Sequence, residues 1–193
     1  AAAMEEEEDV SGGSGDGGQG WEVLSGSSKL QALVKLLEEH VVEKGEKAVV
    51  FTQFAEAVPL IGALLRHRGI GAVSLKEGSG PKWWPKEWRD RLAAGRAVEV
   101  FKSEPRCSVM VLEAGPAAAG LTLICAQHVV FVDVLNSALL ESQAKARVAR
   151  IGQRAETTAW HLVATDSVDE PLRRAADAGI ALDTNTVRSI LAA

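Results

Sequence analysis

Hydrophobic positions along this chain switch repeatedly between two periods. Leu30, Leu33, Val34, Leu37 and Val41 recur at helical spacing after Ser28-Lys29-Leu30-Gln31, which has the form of a capping box, and Gly45 closes that segment. Lys47–Thr52 is then a short, continuous apolar run of the kind found in buried strands. Phe54–Arg68 returns to helical period with Leu60, Ile61, Leu64 and Leu65 inside and Gly69 beyond its end. Ile70–Leu75 is a second strand candidate, and Glu77–Pro85 is rich in turn residues. Trp88, Leu92, Val98 and Phe101 mark one or two helical pieces. Cys107–Leu112 and His128–Asp133 read as strands separated by a loop of small residues. Ser137–Gly152 reads as a helix, Thr158–Ala164 as a final central strand, and Ser167–Ala178 as a closing helix.

Strand and helix thus alternate five times, which predicts a three-layer α/β/α domain with a mainly parallel sheet. Ligands in such folds sit beyond the carboxyl ends of the strands. That places attention on Thr52–Glu56, Leu112–Leu121 and Asp133 with the helix after it. The predicted division is a disordered tail over 1–27, a domain over 28–178 and an extension over 179–193 that is compatible with a helix.

Composition changes this picture in one respect. A length of 193 residues with 47% hydrophobic positions suits one core of ordinary size. The net charge of −5 is unevenly placed, because residues 1–28 carry seven acids and no Lys or Arg. That segment is −7, so the remainder is +2, and the total excludes no nucleic-acid or nucleotide partner. Ser11–Gly20 holds six glycines in ten residues, a composition that cannot bury enough surface to offset its chain entropy. Cys107 and Cys125 lie in apolar runs without ligand spacing, which predicts free thiols in a reducing compartment. No apolar stretch approaches the roughly 18 residues of a membrane span, and the start lacks the order of a secretory signal. His40, His67, His128 and His161 fall on separate predicted elements, so no metal site is expected.

The segment with most chemical content is Gln143–Gln153, QAKARVARIGQ. On one helix, Gln143, Arg147 and Arg150 would share a face at i, i+4 and i+7, while Ala144, Val148 and Ile151 would form the buried stripe. Two guanidinium groups fixed this way suit a phosphate, which Arg binds bidentately. The plainer reading is a solvated basic face.

QAKARVARIGQ resembles the sixth helicase motif of the Swi/Snf chromatin-remodelling ATPases, Q-A-x-x-R-x-H-R-I-G-Q, with Ala149 in place of the family's His. Leu112–Asp133, LEAGPAAAGLTLICAQHVVFVD, resembles the fifth motif and the strand after it, agreeing at Gly120, Leu121, Leu123, Ala126, His128, Val129 and Asp133. Lys47–Phe54 resembles the fourth motif. Val98-x-x-Phe101 with Glu104-Pro105 resembles the helix and turn before the next strand. The resemblance covers about residues 28–178 and implies the second RecA-like lobe of a two-lobe, ATP-driven nucleic-acid motor. The wording Leu121-Thr122-Leu123-Ile124 is also similar to the branch fused to RING ubiquitin ligases, which would add ubiquitin-ligase machinery to the partners.

Several roles are implied by the resemblance. Arg147 and Arg150 would act as arginine fingers on ATP held by an amino-terminal lobe, which would also hold Mg2+. Gln143, Gly120 and Thr122 would belong to the ATP cleft. Thr52 and Gln53 would meet nucleic-acid backbone, as would the fifth-motif positions occupied by Glu113 and Ala114. Double-stranded DNA or nucleosomes in the nucleus would be the partners, with no role for a membrane.

The departures lie mainly in the fifth motif. Its Ser and Thr are Glu113 and Ala114, its paired glycines are Ala117 and Ala118, its Asn is Thr122, and the Pro and Trp after the strand are Val134 and Leu135. A carboxylate facing phosphate repels it, so a degenerate lobe acting as a protein- or DNA-interaction scaffold is the alternative. No G-x-x-x-x-G-K-[ST] and no D-E-x-H box occurs in the chain, which alone is expected not to hydrolyse ATP. A dinucleotide-binding enzyme is disfavoured because the Gly115–Gly120 loop lacks G-x-G-x-x-G spacing. Two minor features remain. Lys82–Trp88 mixes tryptophans and lysines that suit base stacking, core packing or a partner surface, and Glu5–Asp9 is an acidic run that suits basic partners or solvation.

Overall fold

The computed structural model describes residues 26–75, 84–115 and 120–191. The acidic tail, Lys82, Trp83, Ala117 and Ala118 lie outside the described residues.

A helix α1 (Ser28–Leu37) opens the domain and runs on into a π-helical turn, Glu38–Val42. Its cap is Ser27, one residue earlier than the sequence pattern places it, with the hydroxyl accepting from the Leu30 N–H at 3.4 Å. Strand β1 (Ala48–Thr52), α2 (Ala57–His67) and β2 (Gly71–Ser74) follow, then α3 (Lys86–Ala93) and α4 (Ala97–Ser103). The rest is β3 (Cys107–Glu113), β4 (His128–Phe131), α5 (Ala138–Val148), β5 (Thr158–His161), α6 (Asp169–Asp177) and α7 (Thr184–Leu191).

The five strands form one sheet in the order β2-β3-β1-β4-β5, with every pair parallel. Side chains alternate across it, as the strand period requires. Val49, Phe51, Met110, Leu112, Val129 and Phe131 point to one face, where Trp88, Leu92, Val100, Phe101, Ala144 and Val148 from α3, α4 and α5 cover them. Ala48, Val50, Val109, Val111 and Val130 point to the other, under Leu33, Leu37 and Val41 of α1 and its π turn and Ile61, Leu64 and Leu65 of α2. The expected three layers are therefore present. Helices α6 and α7 add a small satellite cluster in which Ala175 and Leu182 bury against Val134.

Two features differ from the sequence reading. Strand β5 is an edge strand rather than a central one, and it ends at His161. Helix α5 stops at Val148, four residues before the expected end. Of the readings open for the tryptophans, core packing holds for Trp84 and Trp88, which are buried and meet edge to face at 5.7 Å.

Polar staples tie the layers together. Lys47 donates from Nζ to the carbonyls of Phe101, Glu104 and Cys107, each at 2.7 Å, and so closes the end of α4 onto the sheet. Burial pushes its ammonium below the ordinary lysine range. Trp160 donates to His128 Nδ1 at 3.1 Å, which leaves His128 Nε2–H to donate to Glu46 at 2.6 Å.

Candidate functional site

Where a doubly wound sheet sends successive connections to opposite faces, a crevice opens at the carboxyl ends of the strands. Here α2 leaves β1 on one face and α5 follows β4 on the other, so the crevice lies between β1 and β4. Thr52 and Asp133 occupy it. Thr52 is fully buried, and its hydroxyl donates to Asp133 Oδ2 at 2.5 Å. The Gln53 N–H donates to the same oxygen at 3.2 Å, and the Phe54 N–H donates back to the Thr52 hydroxyl at 3.2 Å. The Thr52 side chain is thus engaged inside the fold by Asp133 and the Phe54 N–H. Gln53 is half-buried, with its backbone already engaged.

Glu113 ends β3 in register with Thr52, and the Ala114 N–H donates to the Thr52 carbonyl at 2.8 Å. Ala114 then lines a narrow cleft with Phe51, Gly115, Leu140, Gln143, Ala144 and Arg147. Gln143 and Arg147 therefore do share a face, directed at the ends of β1 and β3. The half-buried Arg147 guanidinium makes no hydrogen bond or ion pair among the described residues.

Arg150 does not share that face. The carbonyl of Arg147, which a longer helix would use internally, instead accepts the Leu123 N–H at 2.9 Å, and Ala149 leaves helical geometry with ψ of 78°. Arg150 lies in the turn beyond, and its Nη1 donates to the Thr122 hydroxyl at 2.9 Å. Ile151, expected in the buried stripe, is 100% exposed for the same reason. Gln153 donates from Nε2 to the Ala126 carbonyl at 2.7 Å. Gly120 has φ of +87°, a conformation suited to glycine, although an added Cβ would meet nothing among the described residues.

On its outer side α5 is anchored by an ionic cluster. Glu141 accepts from Lys145 at 2.6 Å and from Arg173 at 3.0 Å, and it faces His161 Nε2 at 3.3 Å. Burial works to raise the Glu141 carboxyl, but the hydrogen bonds from Lys145 and Arg173 outweigh it and hold it below the usual carboxylate value. Burial lowers His161, and Arg173, which donates to its Nδ1 at 3.0 Å, pushes the same way.

Among the described residues, no three His, Cys, Asp or Glu side chains converge as metal ligands. None of the described helices is long and apolar enough to cross a membrane.

Residues 28–152 match the helicase conserved C-terminal domain model. The chain belongs to that helicase family. It is 28% identical over 157 residues to ATP-dependent helicase fft3 of Schizosaccharomyces pombe, which covers 81% of this chain and 16% of that protein. It is 30% identical over 178 residues to DNA repair protein RAD5 of Saccharomyces cerevisiae, covering 83% of this chain and 14% of the relative. The chain thus spans about a sixth of the relatives it matches, or less. Among solved structures, the C-terminal part of the Fun30 ATPase domain superposes with a TM-score of 0.69 at 24% identity, covering 86% of this chain and 52% of that one. The Sulfolobus solfataricus SWI2/SNF2 ATPase core in complex with double-stranded DNA gives 0.58 at 23% identity, covering 80% and 30%. At these identities the two structures show a common fold. The helicase C-terminal lobe implied by the sixth-motif resemblance is the domain found.

Asp133 is the residue to which the sequence reading gave no role. Its signal is a carboxylate at the end of the apolar run Val129–Val132, where an acceptor is required only if donors converge on it.

Proposed function

We propose that this lobe is the second half of an ATP-dependent DNA translocase or chromatin remodeller, acting on ATP bound by an amino-terminal lobe. The observation that carries the reading is Arg147. Its half-buried guanidinium lines a cleft at the carboxyl ends of the strands and has no acidic or hydrogen-bonding partner among the described residues, which suits an anion. Arg150 supplies a second cation from the adjoining turn. ATP fits this pair through its phosphates, and its polyphosphate would supply the bond that is cleaved. The chain's own part is to place positive charge against the developing phosphoryl charge. Arginine fingers of this kind are worth about 10³–10⁵ in rate. Mg2+ belongs in this reading to the other lobe, as the motif resemblance implies.

The family membership and the helicase relatives support ATP use. The names of the relatives, which include a DNA repair protein, support DNA as the partner and the nucleus as the compartment. Nucleosomes, and ubiquitin-ligase machinery from the wording of residues 121–124, extend the same reading.

One specific observation favours the scaffold alternative. Glu113 and Ala114 stand where the family pattern has hydroxyl side chains, and Glu113 puts a carboxylate at the end of β3. The deciding experiment supplies a matching first lobe and measures DNA-stimulated ATP hydrolysis. Arg147→Ala and Arg150→Ala are expected each to lower kcat by about 10³-fold or more. Rates unchanged by both substitutions, alongside retained DNA or protein binding, would establish the scaffold instead.

A further inference from the structure

Arg150 lies beyond the end of α5, so the helix does not aim it. A long, exposed arginine on a turn would ordinarily sample many rotamers. Among the described residues one side-chain contact orients it, the 2.9 Å hydrogen bond from Nη1 to the Thr122 hydroxyl, 28 residues earlier in the chain.

Both residues sit on backbone that is tied together. The Leu123 N–H donates to the Arg147 carbonyl at 2.9 Å, and the Gln153 side chain donates to the Ala126 carbonyl at 2.7 Å. Within the turn, the Arg150 N–H donates to the Val148 carbonyl at 3.0 Å, and the Gln153 N–H donates to the Arg150 carbonyl at 2.9 Å. The 122–126 loop and the 147–153 turn are therefore one unit, with Thr122 and Arg150 as its side-chain contact.

We propose that Thr122 is a positioning residue, one that holds the Arg150 guanidinium in a single orientation toward a phosphate. The proposal rests on the reading of Arg150 as a phosphate-facing finger. Its chemistry follows from the donor inventory. A guanidinium has five N–H donors in a rigid fork, so giving one from Nη1 to Thr122 leaves the Nε and Nη2 edge free to meet a phosphate bidentately. The Thr122 oxygen accepts through a lone pair, so what Arg150 needs from this side chain is an acceptor at that place. An Asn, which the family pattern has at this position, offers an acceptor oxygen too. Thr122 thus departs from the pattern in residue type while keeping an acceptor for the arginine.

Three variants test this, Thr122→Val, Thr122→Ser and Arg150→Ala, in two measurements. In the 193-residue chain labelled with nitrogen-15 arginine, the Arg150 side-chain signals should show restricted rotation, lost in Thr122→Val and kept in Thr122→Ser. With a first lobe supplied, Thr122→Val should lower kcat about tenfold while the KM for ATP stays within about twofold, the pattern of an effect on the reacting geometry. Thr122→Ser should restore the rate. The double variant should be no slower than Arg150→Ala alone, since Thr122 acts through Arg150.

Signals and kcat unchanged in Thr122→Val, with Arg150→Ala still impaired, overturn the positioning role and leave the finger reading intact. A further loss in the double variant also overturns it, because Thr122 would then act independently. An Arg150→Ala variant as fast as wild type removes the finger reading and this proposal together. Equal melting temperatures for the Val and Ser variants exclude a folding defect as the source of their difference.

Discussion

The Thr52 hydroxyl donates to the Asp133 carboxylate at 2.5 Å, joining the carboxyl ends of the adjacent strands β1 and β4 across 81 residues of chain. The bond fills the position where a doubly wound sheet would otherwise offer polar groups to a ligand. It also ends β1, because Asp133 takes the Gln53 N–H and Thr52 takes the Phe54 N–H. Asp133→Ala would leave a buried hydroxyl and a backbone N–H without their acceptor. The expected cost is about 1–3 kcal/mol, a Tm lower by roughly 3–9 °C. Thermal unfolding of the two proteins measures it, and an unchanged Tm would show that water replaces the carboxylate at no cost.

Glu113 sits level with Thr52 on the neighbouring strand, at the sheet end where the proposed nucleic-acid track runs. Removing its charge should strengthen binding to a phosphate backbone. Glu113→Ser is expected to bind double-stranded DNA about 3- to 10-fold more tightly at low salt, with the difference shrinking as salt rises. A binding titration at two salt concentrations reads this directly. Equal affinities at both would place the track away from Glu113.

His161 gives the fold a pH dependence of defined sign. Burial lowers its proton affinity below the ordinary value of 6.5, and Arg173 and Lys145 act in the same direction against the pull of Glu141. The unfolded chain therefore binds more protons than the folded one just below pH 6.5, and stability falls as the pH falls through that window. Protonation at Nδ1 would also cancel the hydrogen bond that Arg173 donates there. His161→Gln keeps an acceptor for Arg173 but cannot take the proton. Its Tm should decline less than that of wild type between about pH 7 and pH 5.5, whereas parallel declines would assign the slope to other groups. Glu141, held low by Lys145 and Arg173, contributes at a lower window, below its ordinary value of 4.5.

Gly71 is a close-approach glycine. A Cβ there would lie 1.9 Å from the Arg106 carbonyl oxygen, at the point where the β2–β3 register shifts. Backbone on both sides of the contact must move to admit a methyl group. Gly71→Ala should cost about 2–4 kcal/mol, and denaturant titration would register a lower midpoint. An unshifted midpoint would mean that the edge strand β2 slides without cost.

Much of this architecture was legible locally. The switch from period 3.6 to continuous apolar runs placed all five strands within a few residues, because a strand buried on both faces and an amphipathic helix impose their patterns residue by residue. The stripe Leu33, Val34, Leu37 and Val41 buried as read, and so did Ala144 and Val148. The sixth-motif wording led to the correct lobe, since a spacing that serves one cleft survives in the sequence without help from its surroundings.

Tertiary structure decided what depends on partners far away in the chain. Periodicity continues α5 through Ile151, but the Leu123 N–H claims the carbonyl of Arg147, and the helix ends at Val148. That one bond sends Arg150 to Thr122 and leaves Ile151 in solvent. An apolar run says that a strand is buried but not where in the sheet it lies, so β5 read as central and stands at the edge. A threonine at a strand end looks available until Asp133 arrives. By itself the sequence determined which segments are helix or strand and which family they build. The direction a side chain faces was decided by hydrogen bonds that close only when the chain is folded, because an N–H or a hydroxyl commits to whichever acceptor the packed backbone brings within reach.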